Sequence, residues 1–193
     1  MWRQIAPAFR IALFFTVLTG VVYPGLVTAL SQALFHHKAN GSLVEVNGQV
    51  VGSALIGQKF TRPEYFHPRP SAAGDQGYDA SASSASNYGP TNQKLINRIK
   101  ASVEQFRKEN PDYNGPVPAD LVTTSASGLD PDISVASAEA QASRVAKARG
   151  ISVDRVLQVI RGNAKGRTLG FLGEPRVNVL NLNLELDRRF PRP

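Results

Sequence analysis

From Ile11 to Phe35 the chain carries no charged side chain: IALFFTVLTGVVYPGLVTALSQALF. As a helix, this run spans ~37 Å at 1.5 Å per residue. That exceeds the roughly 30 Å of a bilayer's hydrocarbon core. A buried core helix does not suit a run of this length that is apolar on every face and flanked by charges. Two readings remain. One is a cleaved signal peptide, with Arg3 and Arg10 as its basic end and Val27-Thr28-Ala29 or Ala29-Leu30-Ser31 as a small-residue cleavage site. The run is longer than the 7–15 apolar residues usual in such leaders. The other reading, a retained transmembrane anchor over 11–35, fits better.

Arg3, Arg10 and the α-amino group precede the span, and Lys38 follows it. Positive charge collects on the cytoplasmic side. The expected topology is therefore a cytoplasmic tail (1–10), one membrane helix (11–35, Ile11 to Phe35) and a periplasmic domain (36–193). Pro24 and Gly25 lie inside the span and predict a kink. Gly20 and Gly25 allow a neighbouring helix to approach closely, although their spacing is not GxxxG.

The net charge of +7 divides on this map. Two positive charges precede the span. Residues 36–193 hold 20 Lys+Arg and 15 Asp+Glu, leaving +5 scattered without an interleaved aromatic series. A nucleic-acid module is not expected from that pattern. Cysteine is absent, which excludes disulfides, thiolate metal sites and cysteine nucleophiles. Of the three histidines, His36 and His37 are adjacent at the end of the span, and an interfacial place suits them better than a metal site.

Past the span, Asn47-Gly48 between Leu43–Val46 and Gln49–Val51 predicts a β-hairpin. Residues 61–90 show no periodicity yet contain Tyr65, Phe66, Tyr78 and Tyr88, which argues against disorder. Thr91 is expected to cap a helix over 92–109, with Ile96, Ile99, Val103 and Phe106 on its buried face. Leu121–Thr124 reads as extended. A helix from about Ser134 to Arg149 stops at Gly150, and another runs from a Ser152 cap to about Gly162. Val177–Asp187 alternates, with Leu180, Leu182, Leu184 and Leu186 on one side, and reads as a strand. The fold class is α+β: one N-terminal transmembrane helix, then one extracytoplasmic mixed α/β domain.

No catalytic set emerges. Gly162 to Thr168 approximates a phosphate loop, but it follows a helix and has the wrong glycine spacing. It reads as a solvated basic turn. Asp130 and Asp132 flank Pro131, and turn capping explains them more simply than acid–base chemistry. His67 lies among loop prolines without a plausible serine partner.

Several strings in order resemble one family, the C subunit of the bacterial Kdp-type potassium-transporting P-type ATPase. They are Leu55-Ile56-Gly57-Gln58 with Phe60, Tyr65-Phe66 with Arg69-Pro70-Ser71-Ala72, and Ser86-Asn87-Tyr88-Gly89-Pro90-Thr91-Asn92. Val117 to Thr123, Ser127 to Ser134, Arg144-Val145-Ala146 with Ala148-Arg149-Gly150, and Gly173 to Leu180 with Leu182-Asn183 continue the series. Asp132 departs from the pattern, which often has His there.

The resemblance implies an accessory, non-catalytic subunit of an ATP-driven potassium uptake complex in the bacterial inner membrane. Its implied partners are a channel-like potassium-conducting subunit, a P-type ATP-hydrolysing subunit and a small single-span subunit. The complex, not this chain, is expected to handle ATP and K+, and no cofactor or metal is expected on the chain. A catalytic-chaperone role, raising the hydrolysing subunit's affinity for ATP, is also implied. It leans on a Ser-Gly-Gly-Ser-Asn-like stretch, which here is Ser83-Ser84-Ala85-Ser86-Asn87. Ser83, Ser86 and Asn87 are its nucleotide candidates, but the glycines that let backbone N–H groups approach a phosphate are missing. Tyr65, Phe66, Arg69, Ser86, Asn87, Gly89, Pro90, Thr91, Asn92 and Asp130 are the partner-contact candidates. The alternative is a secreted or anchored periplasmic small-ligand binding protein or enzyme that uses the long loop as its site.

Overall fold

The computed structural model describes residues 2–191, which form two compact units divided between Val51 and Gly52.

The first unit opens with α1 (Trp2–Val17), a π-helical turn (Leu18–Val22) and α2 (Tyr23–Ala39). Together they make one 38-residue helix, Trp2–Ala39, with none of its apolar window buried. Among the described residues it is the one helix long and apolar enough to cross a membrane. The π turn lies immediately before Tyr23-Pro24. A proline ring clashes with the carbonyl four residues back, here Gly20, and Pro has no N–H to give it. A widened turn absorbs that defect. The true break comes later, at Phe35, whose φ of −137° and ψ of 41° are not helical. Beyond the helix, β1 (Leu43–Val46) and β2 (Gln49–Ser53) form the hairpin. Asn47 and Gly48 take φ of 52° and 76°, the left-handed pair that this two-residue turn demands.

The second unit places a three-stranded antiparallel sheet, in the order β3 (Asp132–Ser134), β5 (Arg176–Asn178), β4 (Ala164–Lys165), beside helices α4 (Val135–Arg149), α5 (Val153–Asn163) and α6 (Val179–Arg189). Ile133 and Ala164 both pair with Val177, which is fully buried. The core gathers Phe66, Val145, Val156, Ile160, Leu182 and Leu186, among others, around the alanine face of α4. Ala138, Ala142 and Ala146 let α5 pack close to that face. Ser134 caps α4, its Oγ accepting from Ser137 N at 3.1 Å, and Gly150 ends the helix at φ 65°. A lone helix, α3 (Gln93–Glu109), closes over a smaller cluster of Phe106, Leu121 and Ala140.

Three local expectations change. The cap of α3 is Asn92, which accepts from Lys94 N at 2.8 Å, rather than Thr91, and only Phe106 of its expected face is fully buried. Residues 119–121 form a 3-10 turn where an extended segment was expected at 121–124. The third change is larger: Val179–Arg189 is a helix, not a strand. Val179, Leu182, Asn183 and Leu186 face inward at a 3/4 spacing. Leucine is a strong helix former, and Asn178 caps the first turn by accepting from Asn181 N at 3.0 Å. Glu185 closes the last turn with Arg188 and Arg189. Those two guanidinium groups pull the Glu185 carboxyl down to about 2.

Candidate functional site

Between β2 and α3 the chain runs for about forty residues without a regular element, yet its middle is buried. Buried backbone must find hydrogen-bond partners. Here side-chain amides replace a neighbouring strand. Asn183 accepts from Phe66 N at 2.8 Å and donates to Phe66 O at 3.0 Å. Gln141 does the same for His67, at 2.8 and 3.1 Å.

Two arginines complete the clamp. Arg144 is buried and donates to the carbonyls of Pro63 (2.6 Å) and Tyr65 (2.9 Å), to Asn110 Oδ1 (3.0 Å) and to Gln141 Oε1 (2.7 Å). Burial lowers it to about 10. The side chain of Arg149 is 2% exposed, meets Asp187 at 2.8 Å, donates to Glu64 O and lies over the Tyr65 ring. In the sequence both stand only within the strings Arg144-Val145-Ala146 and Ala148-Arg149-Gly150. Three of their partners, the carbonyls of Pro63, Glu64 and Tyr65, lie about eighty residues away, for which no spacing rule exists.

The next stretch lies against residues 124–130. Arg69 pairs with Asp130 at 2.9 Å and donates to Thr124 O at 3.3 Å. The Tyr78 hydroxyl donates to Arg69 O at 2.6 Å, and burial raises it to about 12. Ser84 N and Ser83 Oγ both donate to Ser127 O, at 3.0 and 2.9 Å. Ser86 Oγ shares Thr124 (3.3 Å) and Arg98 (3.1 Å), and Arg98 lies over the Tyr88 ring. Gly128 allows this approach: at φ 68°, a Cβ there would come within 2.5 Å of Ser84 O.

Of the residues expected at a partner contact, Phe66 has no exposed surface and Tyr65 is 8% exposed. Both are core residues, because the clamp turns them inward. Arg69, Ser86 and Asp130 are engaged within the chain, and Asn92 caps α3. Asn87 to Thr91 form an exposed run. Of the nucleotide candidates, Ser83 and Ser86 are hydrogen-bonded to this chain, and Asn87 is exposed at φ 49°.

A groove of about 450 Å³ opens between α3 and Pro68–Pro70, with His67, Arg98, Ser102 and Glu109 on its walls. His67 Nδ1 sits 3.2 Å from Glu109, and Nε2 sits 3.1 Å from Arg62 O. Neither ring nitrogen is left free for a substrate. The Glu109 contact has ion-pair geometry, yet burial and the Arg144 charge outweigh it and lower the His67 pKa. Asp130 and Asp132 line one cavity, where each is paired with its own arginine, Arg69 at 2.9 Å and Arg176 at 3.0 Å. Both carboxylates are thus engaged within the chain. Among the described residues, no three His, Asp or Glu side chains gather as a metal set.

The chain matches, over residues 5–188, the family described as "K+-transporting ATPase, c chain". A potassium-transporting ATPase KdpC subunit of Myxococcus xanthus is 60% identical over 191 residues, covering 98% of this chain and 90% of that protein. The same subunit of Rhodospirillum rubrum is 55% identical, covering 99% and 98%. That of Koribacter versatilis is 51% identical, covering 100% and 98%. The ordered strings from Leu55 to Asn183 therefore have their explanation in descent: the chain belongs to the KdpC family, the c chain of K+-transporting ATPases.

Proposed function

We propose that the chain is a non-catalytic accessory subunit of an ATP-driven potassium uptake complex, held in the bacterial inner membrane by residues 11–35. The observation that carries this reading is one unburied apolar helix joined to a domain whose buried ionisable groups, Arg144, Arg149 and His67, are taken up in structural clamps. Such a domain offers shape and contact rather than a reactive group. Arg3 and Arg10 support an N-terminus in the cytoplasm, which puts residues 36–193 in the periplasm. The contact surface toward the potassium-conducting subunit includes the exposed run Asn87 to Thr91. The ATP-hydrolysing subunit and a short single-span subunit complete the complex.

A catalytic-chaperone role belongs to the same proposal in an indirect form. A periplasmic domain is separated from cytoplasmic ATP by the bilayer. Any effect on ATP affinity then travels as a coupling free energy between sites, through the anchor and its neighbours.

The test is to purify the ATPase complex with and without this chain. The expected result without it is loss of the assembled complex or of potassium-stimulated ATP hydrolysis. An intact complex with unchanged activity overturns the proposal.

A further inference from the structure

Residues 164–175 protrude as an arm in which every residue stands exposed. The arm springs from the β4–β5 pair and is closed at its tip by a bridge between Thr168 and Leu172. Thr168 N donates to Leu172 O at 2.8 Å, and Leu172 N returns a bond to Thr168 O at 2.9 Å. This bridged loop carries Leu169, Phe171 and Leu172, which are 78%, 67% and 49% exposed. Nothing in the fold gains from that arrangement, because three large apolar side chains are held in water.

The backbone sharpens the point. Leu169 and Gly170 have φ of 55° and 83°. Asparagine or glycine takes the left-handed conformation readily, and leucine does so against a steric penalty. Strain retained at an exposed apolar tip is the mark of a surface kept for a partner. The arm from 161 to 175 holds Arg161, Lys165 and Arg167 against Glu174 alone. Among the described residues, Arg161 and Lys165 have no ion pair.

We infer that this arm is a docking finger for another protein chain of the same ATPase, one with an apolar cleft rimmed by carboxylates. Charge complementarity supplies the rim, and the fixed turn supplies the shape. A bilayer accepts apolar side chains in any loop geometry, so it gives no use to a strained, defined tip. A cleft does. The inference rests on the assembly reading above and adds a second contact to the Asn87–Thr91 run.

The test uses the full chain co-expressed with the other ATPase chains, one of which carries the affinity tag. Leu169→Asn/Phe171→Asp removes the apolar tip while placing a residue suited to φ > 0 in the turn. Expected is at least a roughly tenfold drop in co-recovery, with thermal stability of the variant chain equal to or above wild type. Val153→Asp, an exposed apolar change away from the arm, is expected to co-purify normally. A photo-cross-linking residue at Phe171 is expected to form an adduct with another chain of the complex. Wild-type recovery of the double variant overturns the inference, as does an adduct with lipid alone. Failure of the wild-type chain to co-purify overturns the assembly reading instead, so the two failures are separable.

Discussion

A handful of side chains do the work of a missing strand. Gln141 and Asn183 each meet both backbone groups of one loop residue, and Arg144 gathers two further carbonyls. His67 sits inside this arrangement, and its protonation is coupled to stability. Its pKa in the fold lies below the ordinary 6.5 because burial and Arg144 disfavour the charged ring. Between those two values the unfolded chain binds the proton more readily. The contribution is therefore complete above pH 6.5 and is lost as pH falls below it. In thermal melts of the detergent-solubilised chain, the wild type is expected to lose stability on acidification below pH 6.5. His67→Gln should show a shallower decline over the same range. Equal slopes would remove His67 from the acid sensitivity. His67 was visible in the sequence as a histidine among prolines, but Glu109, Arg144 and the Arg62 carbonyl were not. They come from three different parts of the chain.

Among the elements, legibility followed how local the cause was. The hairpin depends on two adjacent residues, Asn47-Gly48, and α4 on Ser134 and Gly150 at its ends, so both were readable. The C-terminal helix was not. Its leucines at every second position satisfy a strand, while Val179, Leu182, Asn183 and Leu186 satisfy a helix. The Asn178 cap, the Glu185 pairs with Arg188 and Arg189, and the need for Asn183 against Phe66 separate the two. The helix makes a prediction that the strand does not. Leu182 is fully buried and Leu184 is half-buried, whereas alternation puts them on one face alike. Leu182→Ala is expected to cost about 2–5 kcal/mol in chemical denaturation. Leu184→Ala should cost about 1 kcal/mol or less. Equal costs would restore the strand.

For the molecule as a whole, the long apolar helix and the ordered family strings are legible at once, because both are properties of linear sequence. The exposed 164–175 arm is not: Gly162 to Thr168 reads as a solvated basic turn, and the pairing of β4 with β5 beneath the arm has no local signal. The proposed orientation has a direct check, since the chain has no cysteine to interfere. Lys147→Cys places one thiol at an exposed position on α4. An impermeant thiol reagent added to intact cells, with the outer envelope made leaky, is expected to label it. Labelling only after the inner membrane is breached would place the domain in the cytoplasm and reopen direct contact with ATP.

The π turn at Leu18–Val22 has a consequence for any helix lying alongside the anchor. It amounts to one residue inserted into an otherwise regular spiral. One residue rotates an α-helix by about 100°. A stripe of side chains followed down α1 therefore does not continue on α2 but reappears about a quarter-turn around the cylinder. A straight neighbouring helix can mesh with one half of the anchor in register and must lose that register in the other. The long helix thus presents two separately addressed faces, one on α1 and one on α2.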